Sequence, residues 1–260
     1  MKTLFIAGFT LILLASCSTI SKYSGESSAH AQLPTGFVDL STLAPEIQVE
    51  MRYATSWNFF GQPVPGYHAN RCYLTREAAT ALAKVQEEVS KQGYSLLVFD
   101  CYRPQRAVNA FVKWVNNGPE SPTKPFFYPT EERSELIKRG YIASKSGHSR
   151  GSVVDLTLVK KDRIPAPGAD GLRFKEPFQD CRSTKGIEST GQLDMGTAFD
   201  CFSELSHTDS AKVTLQARQN RMLLKAAMEK HGFENYELEW WHYILKDEPF
   251  KDQYFDFEVR

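Results

Sequence analysis

The chain has 260 residues, and its 31 lysines and arginines balance 31 aspartates and glutamates, so its formal net charge at pH 7 is zero. The chain therefore has no excess positive charge that would favour binding to nucleic acid. It also has no excess positive charge that would hold the folded part on a membrane surface. From Leu33 onward the length suits one domain with a substantial core, since a domain takes about 100–200 residues. We therefore predict a single domain over 33–260.

The N-terminal residues have the pattern of a bacterial export signal. After a charged start, the apolar run from Leu4 to Ala15 is too short to span a bilayer as a stable helix. Residues 14–17, Leu-Ala-Ser-Cys, resemble the lipobox of bacterial lipoproteins, in which the cysteine is lipidated. This pattern predicts a signal peptide over 1–16 and export to the periplasm or cell surface, with membrane contact only through a lipid on Cys17. An ordinary signal peptide with a chance cysteine is the alternative.

The segment that follows is predicted to be a flexible tether. Residues 17–32 are rich in serine, glycine and alanine and contain little that a core could bury.

The predicted elements of the domain alternate between helices and strands without βαβ regularity. Helices are predicted over 75–91, from Pro104 onward, over 130–138 and over 210–230, and strands over 94–100, 152–160 and 239–245. The polar, Gly/Pro-rich stretch 161–193 is predicted to be a long excursion, which a disulfide at its base would hold as an ordered flap. The mixture predicts an α+β fold, a single domain with a mainly antiparallel sheet packed by helices.

Four cysteines lie within the predicted domain: Cys72, Cys101, Cys181 and Cys201. An even number in an exported protein indicates disulfides, although four cysteines allow three pairings and the sequence does not choose among them. We prefer Cys72 with Cys101 and Cys181 with Cys201, because each pair brackets a compact stretch. A zinc site of cysteine thiolates is the rival interpretation, but the close C-x-x-C spacing that such sites favour is missing.

Two motifs contain the parts of a mononuclear zinc hydrolase. Residues 146–155 include His148 and Asp155, and the motif Glu239-Trp240-Trp241-His242 lies further along the chain. Such a site needs three protein ligands so that a fourth position stays open for water, and two imidazoles with one carboxylate suit Zn²⁺. Glu239 is then free to act as the base.

Strand geometry restricts how these residues can meet. Residues three apart on a regular strand point to opposite faces, so Glu239 and His242 cannot both face a metal on a straight strand. Either Glu239 lies in a bend just before the strand, or it is not the base. His148 and Asp155 are seven residues apart, so on one regular strand they too would point to opposite faces. A turn at glycines 147 and 151 would place His148 off the strand and allow both to face the metal.

Both motifs resemble signatures of the zinc D-alanyl-D-alanine dipeptidases related to those of vancomycin resistance. Residues 146–155 resemble Ser-x-His-x-x-Gly-x-x-x-Asp, and residues 239–242 resemble Glu-x-Trp-His, in the order that the family has them. Other blocks similar to the family are 51–55, 100–104, 194–200, 219–221 and 254–257. The resemblance extends from Val38 to Val259.

The resemblance implies a role for each matching residue. The implied roles are zinc ligand for His148, Asp155 and His242, general base and acid for Glu239, and transition-state donor for Arg103. It further implies Asp200 for the substrate ammonium, Ser146 for the substrate's polar end and Tyr53 as a pocket wall. One Zn²⁺ per chain and a Hedgehog/D,D-peptidase-like fold are also implied.

We therefore predict an exported zinc dipeptidase that hydrolyses D-alanyl-D-alanine, in cell-wall turnover or dipeptide scavenging. A free dipeptide carries an ammonium and a carboxylate, so its pocket should be small and closed, with charge at each end. A D,D-carboxypeptidase that acts on peptidoglycan stem peptides would need an open groove instead. A non-catalytic zinc-stabilised binding lipoprotein is a third possibility, but it would need neither Glu239 nor Arg103. The sequence leaves the oligomeric state open.

Overall fold

The structure, a computed structural model, describes Met1 and residues 33–169 and 171–260. The predicted signal peptide, tether and lipidation site Cys17 lie outside the described residues, apart from Met1. Within the described ranges, no helix has the length and apolarity needed to cross a membrane.

Seven strands and four α-helices are found in the described part of the chain. The strands are β1 (Phe37–Asp39), β2 (Gln48–Val49), β3 (Tyr73–Thr75), β4 (Tyr94–Asp100), β5 (Val153–Lys160), β6 (Phe233–Asn235) and β7 (His242–Leu245). The helices are α1 (Arg76–Ser90), α2 (Gln105–Asn117), α3 (Lys124–Phe127) and α4 (Leu215–Lys230).

The strands form two sheets. β1 and β3 make an antiparallel pair, and the other five strands form one sheet in the order β2-β4-β5-β7-β6. In that sheet β2 runs parallel to β4, and the remaining neighbours are antiparallel. The predicted α+β fold with a mainly antiparallel sheet is therefore confirmed.

The core lies on the central strands. In β4 and β5 the side chains on both faces of the sheet are buried, as expected where a sheet is covered on both sides. Helix α1 packs against β4 and α4, and α4 packs against β6. Irregular segments add Phe174, Phe199 and Trp241 to the same core. The ends of β4, β5 and β7 are thereby held rigidly, and the functional residues lie at these ends.

Helix α1 begins where the sequence predicts, because the Thr75 side chain accepts a hydrogen bond of 3.3 Å from the Ala78 N–H. Helix α4 begins later than predicted, at Leu215, because the cap is Thr214, which accepts from Ala217 N–H at 3.1 Å. This five-residue shift moves no functional residue.

The predicted helix over 130–138 is wrong. Only a 3-10 turn at Arg133–Glu135 forms there. Arg133 donates instead to the backbone carbonyls of Trp114 and Val115 in the last turn of α2, where carbonyl groups run out of helical N–H donors. So short a segment has little helical stability of its own, and this tertiary contact decides its conformation.

Both preferred disulfides are present, Cys72–Cys101 and Cys181–Cys201, with the paired Cα atoms 5.4 Å apart in each. The rival thiolate zinc site is excluded, because all four sulfurs are bonded to one another in pairs. Cys101 directly follows β4, and Cys201 directly follows Asp200, so each bridge is adjacent in sequence to residues of the candidate site.

Candidate active site

His148, Asp155 and His242 come together at one end of the five-stranded sheet. Asp155 and His242 are opposite one another on β5 and β7. One ligand atom from each of the three residues lies within 4.8 Å of the others. The Asp155 oxygens lie 3.3 Å from His148 Nε2 and 3.0 Å from His242 Nδ1. The three residues predicted as metal ligands are therefore neighbours in space.

A glycine turn resolves the parity problem at His148. Residues Gly147–Arg150 form a 3-10 turn that ends at Gly151, whose φ is +81°. A Cβ at Gly151 would lie 2.2 Å from the Phe37 ring, so a side chain is excluded there by both backbone and space. The turn directs His148 toward the end of β5, so that of the two residues only Asp155 is on the strand.

The backbone orients the His148 ring. His148 Nδ1 lies 2.7 Å from the carbonyl oxygen of Cys101, to which it donates, so Nε2 is the ring nitrogen that faces Asp155 and His242. Burial lowers the pKa of His242, which favours the neutral imidazole that metal binding requires. Each histidine thus turns one ring nitrogen toward the cluster.

The charges of the cluster fit a divalent cation. Asp155 Oδ1 is buried and accepts no hydrogen bond, although His242 Nδ1 is close by. A buried carboxylate oxygen without a donor is rare unless a cation completes its surroundings. Burial would raise the pKa of Asp155, but the His148 and His242 imidazoles hold it well below its usual range, so the carboxylate stays ionised. Two imidazoles and one carboxylate are a donor set that suits a first-row metal with an open position.

Glu239 lies in the bend that strand parity requires. The Glu239 N–H donates to the Tyr236 carbonyl and the His242 N–H donates to the Glu239 carbonyl, so a turn precedes β7. This turn brings Glu239 Oε2 to 3.5 Å from His242 Nδ1. Burial raises the pKa of the Glu239 carboxyl well above its usual range, and the Asp155 and Asp200 carboxylates add to this. A cation held by His148, Asp155 and His242 would lower the pKa of the Glu239 carboxyl.

Arg103 is fixed beside the cluster. It follows β4, and its Nε and Nη2 lie 3.0 and 2.9 Å from Asp100 Oδ2. Its Nη2 is 3.7 Å from Asp155 Oδ2, and its guanidinium lies over the Tyr53 ring at 5.0 Å. Asp100 is fully buried and also accepts from the Tyr67 hydroxyl at 2.6 Å. Arg103 therefore points a fixed positive charge toward the cluster.

Tyr53 and Asp200 form another part of the wall of the site. The Tyr53 hydroxyl donates to Asp200 Oδ2 at 2.8 Å. Asp200 has φ +57°, in the left-handed region that non-glycine residues rarely adopt, and such strain is held by surrounding contacts. Burial raises the pKa of Asp200 well above its usual range, and Asp155 adds to it. A positively charged group of a bound ligand would stabilise the ionised Asp200 carboxylate and so offset the cost of burying it.

These residues surround one cavity of about 280 Å³, which all eight predicted catalytic, metal and substrate residues line. Ser146 also caps the turn that carries His148, because its Oγ accepts from the His148 N–H at 3.3 Å. Sequence reasoning missed part of the wall, namely Phe59, Phe111, Gly140, Tyr141, Ile142, Ala143, Gly147, Tyr236 and Ile244. It also assigned no role to Asp100, although this residue opens the block 100–104.

The comparisons with known proteins agree with this geometry. The model of the peptidase family M15, described as D-Ala-D-Ala dipeptidase, matches residues 34–166 and 181–260. The chain belongs to this dipeptidase family. Residues 167–180 lie between the two matched stretches and are themselves unmatched.

Curated relatives in the dipeptidase family cover most of the chain. A D-alanyl-D-alanine dipeptidase of Enterococcus faecium is 42% identical over 226 residues, which are 86% of this chain and 98% of that protein. Dipeptidases of the same name from Enterococcus faecalis and Escherichia coli are 39% and 31% identical over 87% and 81% of this chain, and 100% and 85% of those proteins are covered. The solved structure of the LdcB LD-carboxypeptidase is 17% identical over 84% of this chain and 72% of that one, with a TM-score of 0.35.

Proposed function

We propose that this protein is a zinc-dependent dipeptidase that hydrolyses D-alanyl-D-alanine to two D-alanines. The observation that supports the proposal most strongly is that one cavity is lined by the three candidate metal ligands, the Glu239 carboxyl group and the Arg103 guanidinium. Its volume of about 280 Å³ is at the lower end of ligand pockets, which suits a dipeptide better than a longer peptide. The similarity to D-alanyl-D-alanine dipeptidases supports the same substrate.

The proposed metal is one Zn²⁺ per chain, held by His148, Asp155 and His242. Zinc with three protein ligands and an open position makes water acidic enough to react near neutral pH and polarises a carbonyl. A Hedgehog/D,D-peptidase-like architecture is part of the same proposal.

The chain's own residues supply proton transfer and charge stabilisation. Glu239 takes the proton from the attacking water and returns it to the leaving amine, since its carboxyl lies beside the ligand cluster. Arg103 stabilises the oxyanion that develops on the amide carbonyl, because Asp100 holds its donors in place. Asp200, with Tyr53, accepts the substrate ammonium, which compensates the buried carboxyl. Ser146 binds the polar end of the substrate.

Arg103→Lys is expected to lower kcat for D-Ala-D-Ala by about 10²–10³-fold, because lysine keeps the charge but loses the rigid paired donors. The metal content should stay the same, since Arg103 is not a ligand. Arg106→Lys is the matched control: Arg106 is three residues away but pairs with Asp256 and Glu258, outside the cavity. Steady-state kinetics with metal analysis on both variants checks this, and an unchanged kcat in Arg103→Lys would remove the residue from the mechanism.

The substrate class is tested by comparing free D-Ala-D-Ala with a peptidoglycan stem pentapeptide ending in D-Ala-D-Ala. A dipeptidase should have kcat/KM for the free dipeptide at least about 100-fold higher, because its buried ammonium site is left without a partner by the longer peptide. The reverse ratio would assign the protein as a D,D-carboxypeptidase. L-Ala-L-Ala serves as the stereochemical control, and we expect no hydrolysis of it.

We also propose export and lipid anchoring. Residues 1–16 would be the signal peptide and 17–32 the tether, with the dipeptidase domain over 33–260 held outside the cytoplasm by a lipid on Cys17. The lipobox-like residues 14–17 support this. An exported enzyme does not meet the cytoplasmic precursors of the cell wall, which favours a role in cell-wall turnover or dipeptide scavenging.

Cys17→Ala is expected to move the exported protein from the membrane fraction to the soluble periplasmic or culture fraction. The physical reason is that the cysteine thiol is the only attachment point in the proposal, and a protein domain with balanced charge has no other affinity for the bilayer. Fractionation with immunodetection checks this. A variant that stays in the membrane fraction as completely as the wild type would argue against the lipid anchor.

A further inference from the structure

Residues 171–180 lie within the stretch that the family match leaves out, and they are packed in this structure. They are here called the insert. Phe174 of the insert is 1% exposed and belongs to the main core, and Phe178 stacks on Phe126 with ring centroids 5.9 Å apart. The insert is therefore packed onto the domain, and two anchors fix it.

The first anchor is the buried guanidinium of Arg52. Its Nε donates to Glu50 at 2.8 Å, its Nη1 to Glu176 at 3.1 Å, and its Nη2 to the Phe174 carbonyl at 3.1 Å. The second oxygen of Glu50 accepts the backbone N–H groups of Arg173 and Phe174 at 2.6 and 3.0 Å. The insert thus provides partners for both charges of the Arg52–Glu50 pair, and a buried charge that loses its partner is strongly destabilising.

Glu176 is the charged side chain of the insert that pairs with Arg52. Its other contact is the indole N–H of Trp57, which donates to the same carboxylate at 3.1 Å. Its side chain is 1% exposed, so these contacts are made away from water and are barely screened. Arg52 opens the 3-10 turn Arg52–Ala54, and Tyr53 is the middle residue of that turn. Glu176 therefore holds the turn that presents Tyr53.

The second anchor is the disulfide Cys181–Cys201. Cys181 directly follows the insert, and Cys201 directly follows Asp200. The Ala198 N–H also donates to the Cys181 carbonyl at 2.8 Å, so the backbone on both sides of Asp200 is tied to the end of the insert. Asp200 has its left-handed φ of +57° between these two ties.

The two anchors meet at one hydrogen bond. Tyr53 and Asp200 are joined at 2.8 Å, and each is the sequence neighbour of an anchor residue, Arg52 and Cys201. We propose that the insert is a positioning element that holds the Tyr53–Asp200 pair in the geometry that recognises the substrate ammonium. Glu176 is its principal positioning residue. The inference rests on the proposed dipeptidase function, in which Asp200 receives that ammonium.

The test uses the full-length zinc-loaded protein with Glu176→Gln, which removes the charge and keeps the shape. Two ligands are compared: D-Ala-D-Ala as substrate and N-propionyl-D-alanine, the same molecule without its ammonium, as competitive inhibitor. Misplacement of a positioning group by a fraction of an ångström should raise KM for the dipeptide about tenfold while kcat changes less than about twofold. The Ki of N-propionyl-D-alanine should stay within about twofold, because it does not use the ammonium site.

Glu188→Gln is the matched control, since Glu188 belongs to the same excursion but is exposed. A second variant, Cys181→Ser with Cys201→Ser, cuts the other anchor and should give the same selective rise in KM. If KM and Ki rise together in both variants, or if neither changes, the insert has no part in ammonium recognition and the inference is overturned. Failure of the proposed function would look different, because the wild type itself would then not hydrolyse D-Ala-D-Ala.

Discussion

Glu239→Gln is expected to lower kcat for D-Ala-D-Ala by about 10²–10⁴-fold while the protein keeps its zinc, because a positioned general base contributes that much. The amide is nearly the same size as the carboxyl group, but it cannot take a proton from water or return it to the leaving amine. Glu239 lies 3.5 Å from a ligand nitrogen of His242 and is not one of the three clustered ligands. Loss of turnover without loss of metal is therefore the specific signature of its role.

The measurement is single-turnover or steady-state kinetics together with zinc analysis on the same preparation. Glu237→Gln is the matched control, because Glu237 lies in the same turn but is exposed. A Glu239→Gln protein with one zinc and a kcat near that of the wild type would assign proton transfer to another group.

His148→Ala should have the second large effect, and its cause is different. The substitution removes one of three ligands, and the remaining two do not make a site that retains zinc through dialysis. We expect zinc per chain to fall from about one to near zero, with hydrolysis falling in parallel. The His148 ring is 1% exposed, and its Nδ1 is held by the Cys101 carbonyl. Among the described residues, the cluster contains no histidine besides His148 and His242 that could replace it as a ligand.

Metal analysis after dialysis against a weak chelator checks this expectation. His68→Ala is the control, since the His68 side chain is 55% exposed and lies outside the cluster. Retention of a full equivalent of zinc by His148→Ala would mean that the metal is held elsewhere.

The two predictions separate metal binding from catalysis. One variant should lose turnover with the metal in place, and the other should lose both. A purely structural zinc site would make Glu239 dispensable, so the first variant also discriminates the proposed enzyme from a zinc-stabilised binding protein.

The ligand set could be predicted from sequence because two short motifs contain it and both resemble signatures of a known family. Strand parity and the glycine at position 151 indicated the turn at Gly147–Arg150 but left open whether Glu239 lies in a bend. The register that places Asp155 opposite His242 joins distant strands and is seen only in the fold. The start of α1 was predictable for a local reason, because the Thr75 side chain caps it, whereas the Thr214 cap of α4 was missed and its start was predicted too early.

Other parts depend on contacts between distant segments, which no local pattern contains. Arg133 folds as part of a turn because it binds carbonyls of α2, and this overrides the amphipathic pattern of 130–138. Arg52 and Glu176 are 124 residues apart, and only the folded chain shows that they form an ion pair. The walls at Tyr141 and Tyr236 come from loops of no regular structure, and their sequences carry no signal for a pocket.

Whether the protein is a zinc dipeptidase is tested most directly by titrating zinc into the metal-depleted protein and measuring D-Ala-D-Ala hydrolysis. We expect no hydrolysis without metal, a linear rise in rate as zinc is added, and a plateau at one equivalent per chain, with no hydrolysis of L-Ala-L-Ala throughout. Full hydrolysis by the metal-free protein, or no hydrolysis of D-Ala-D-Ala at any zinc concentration, would contradict it.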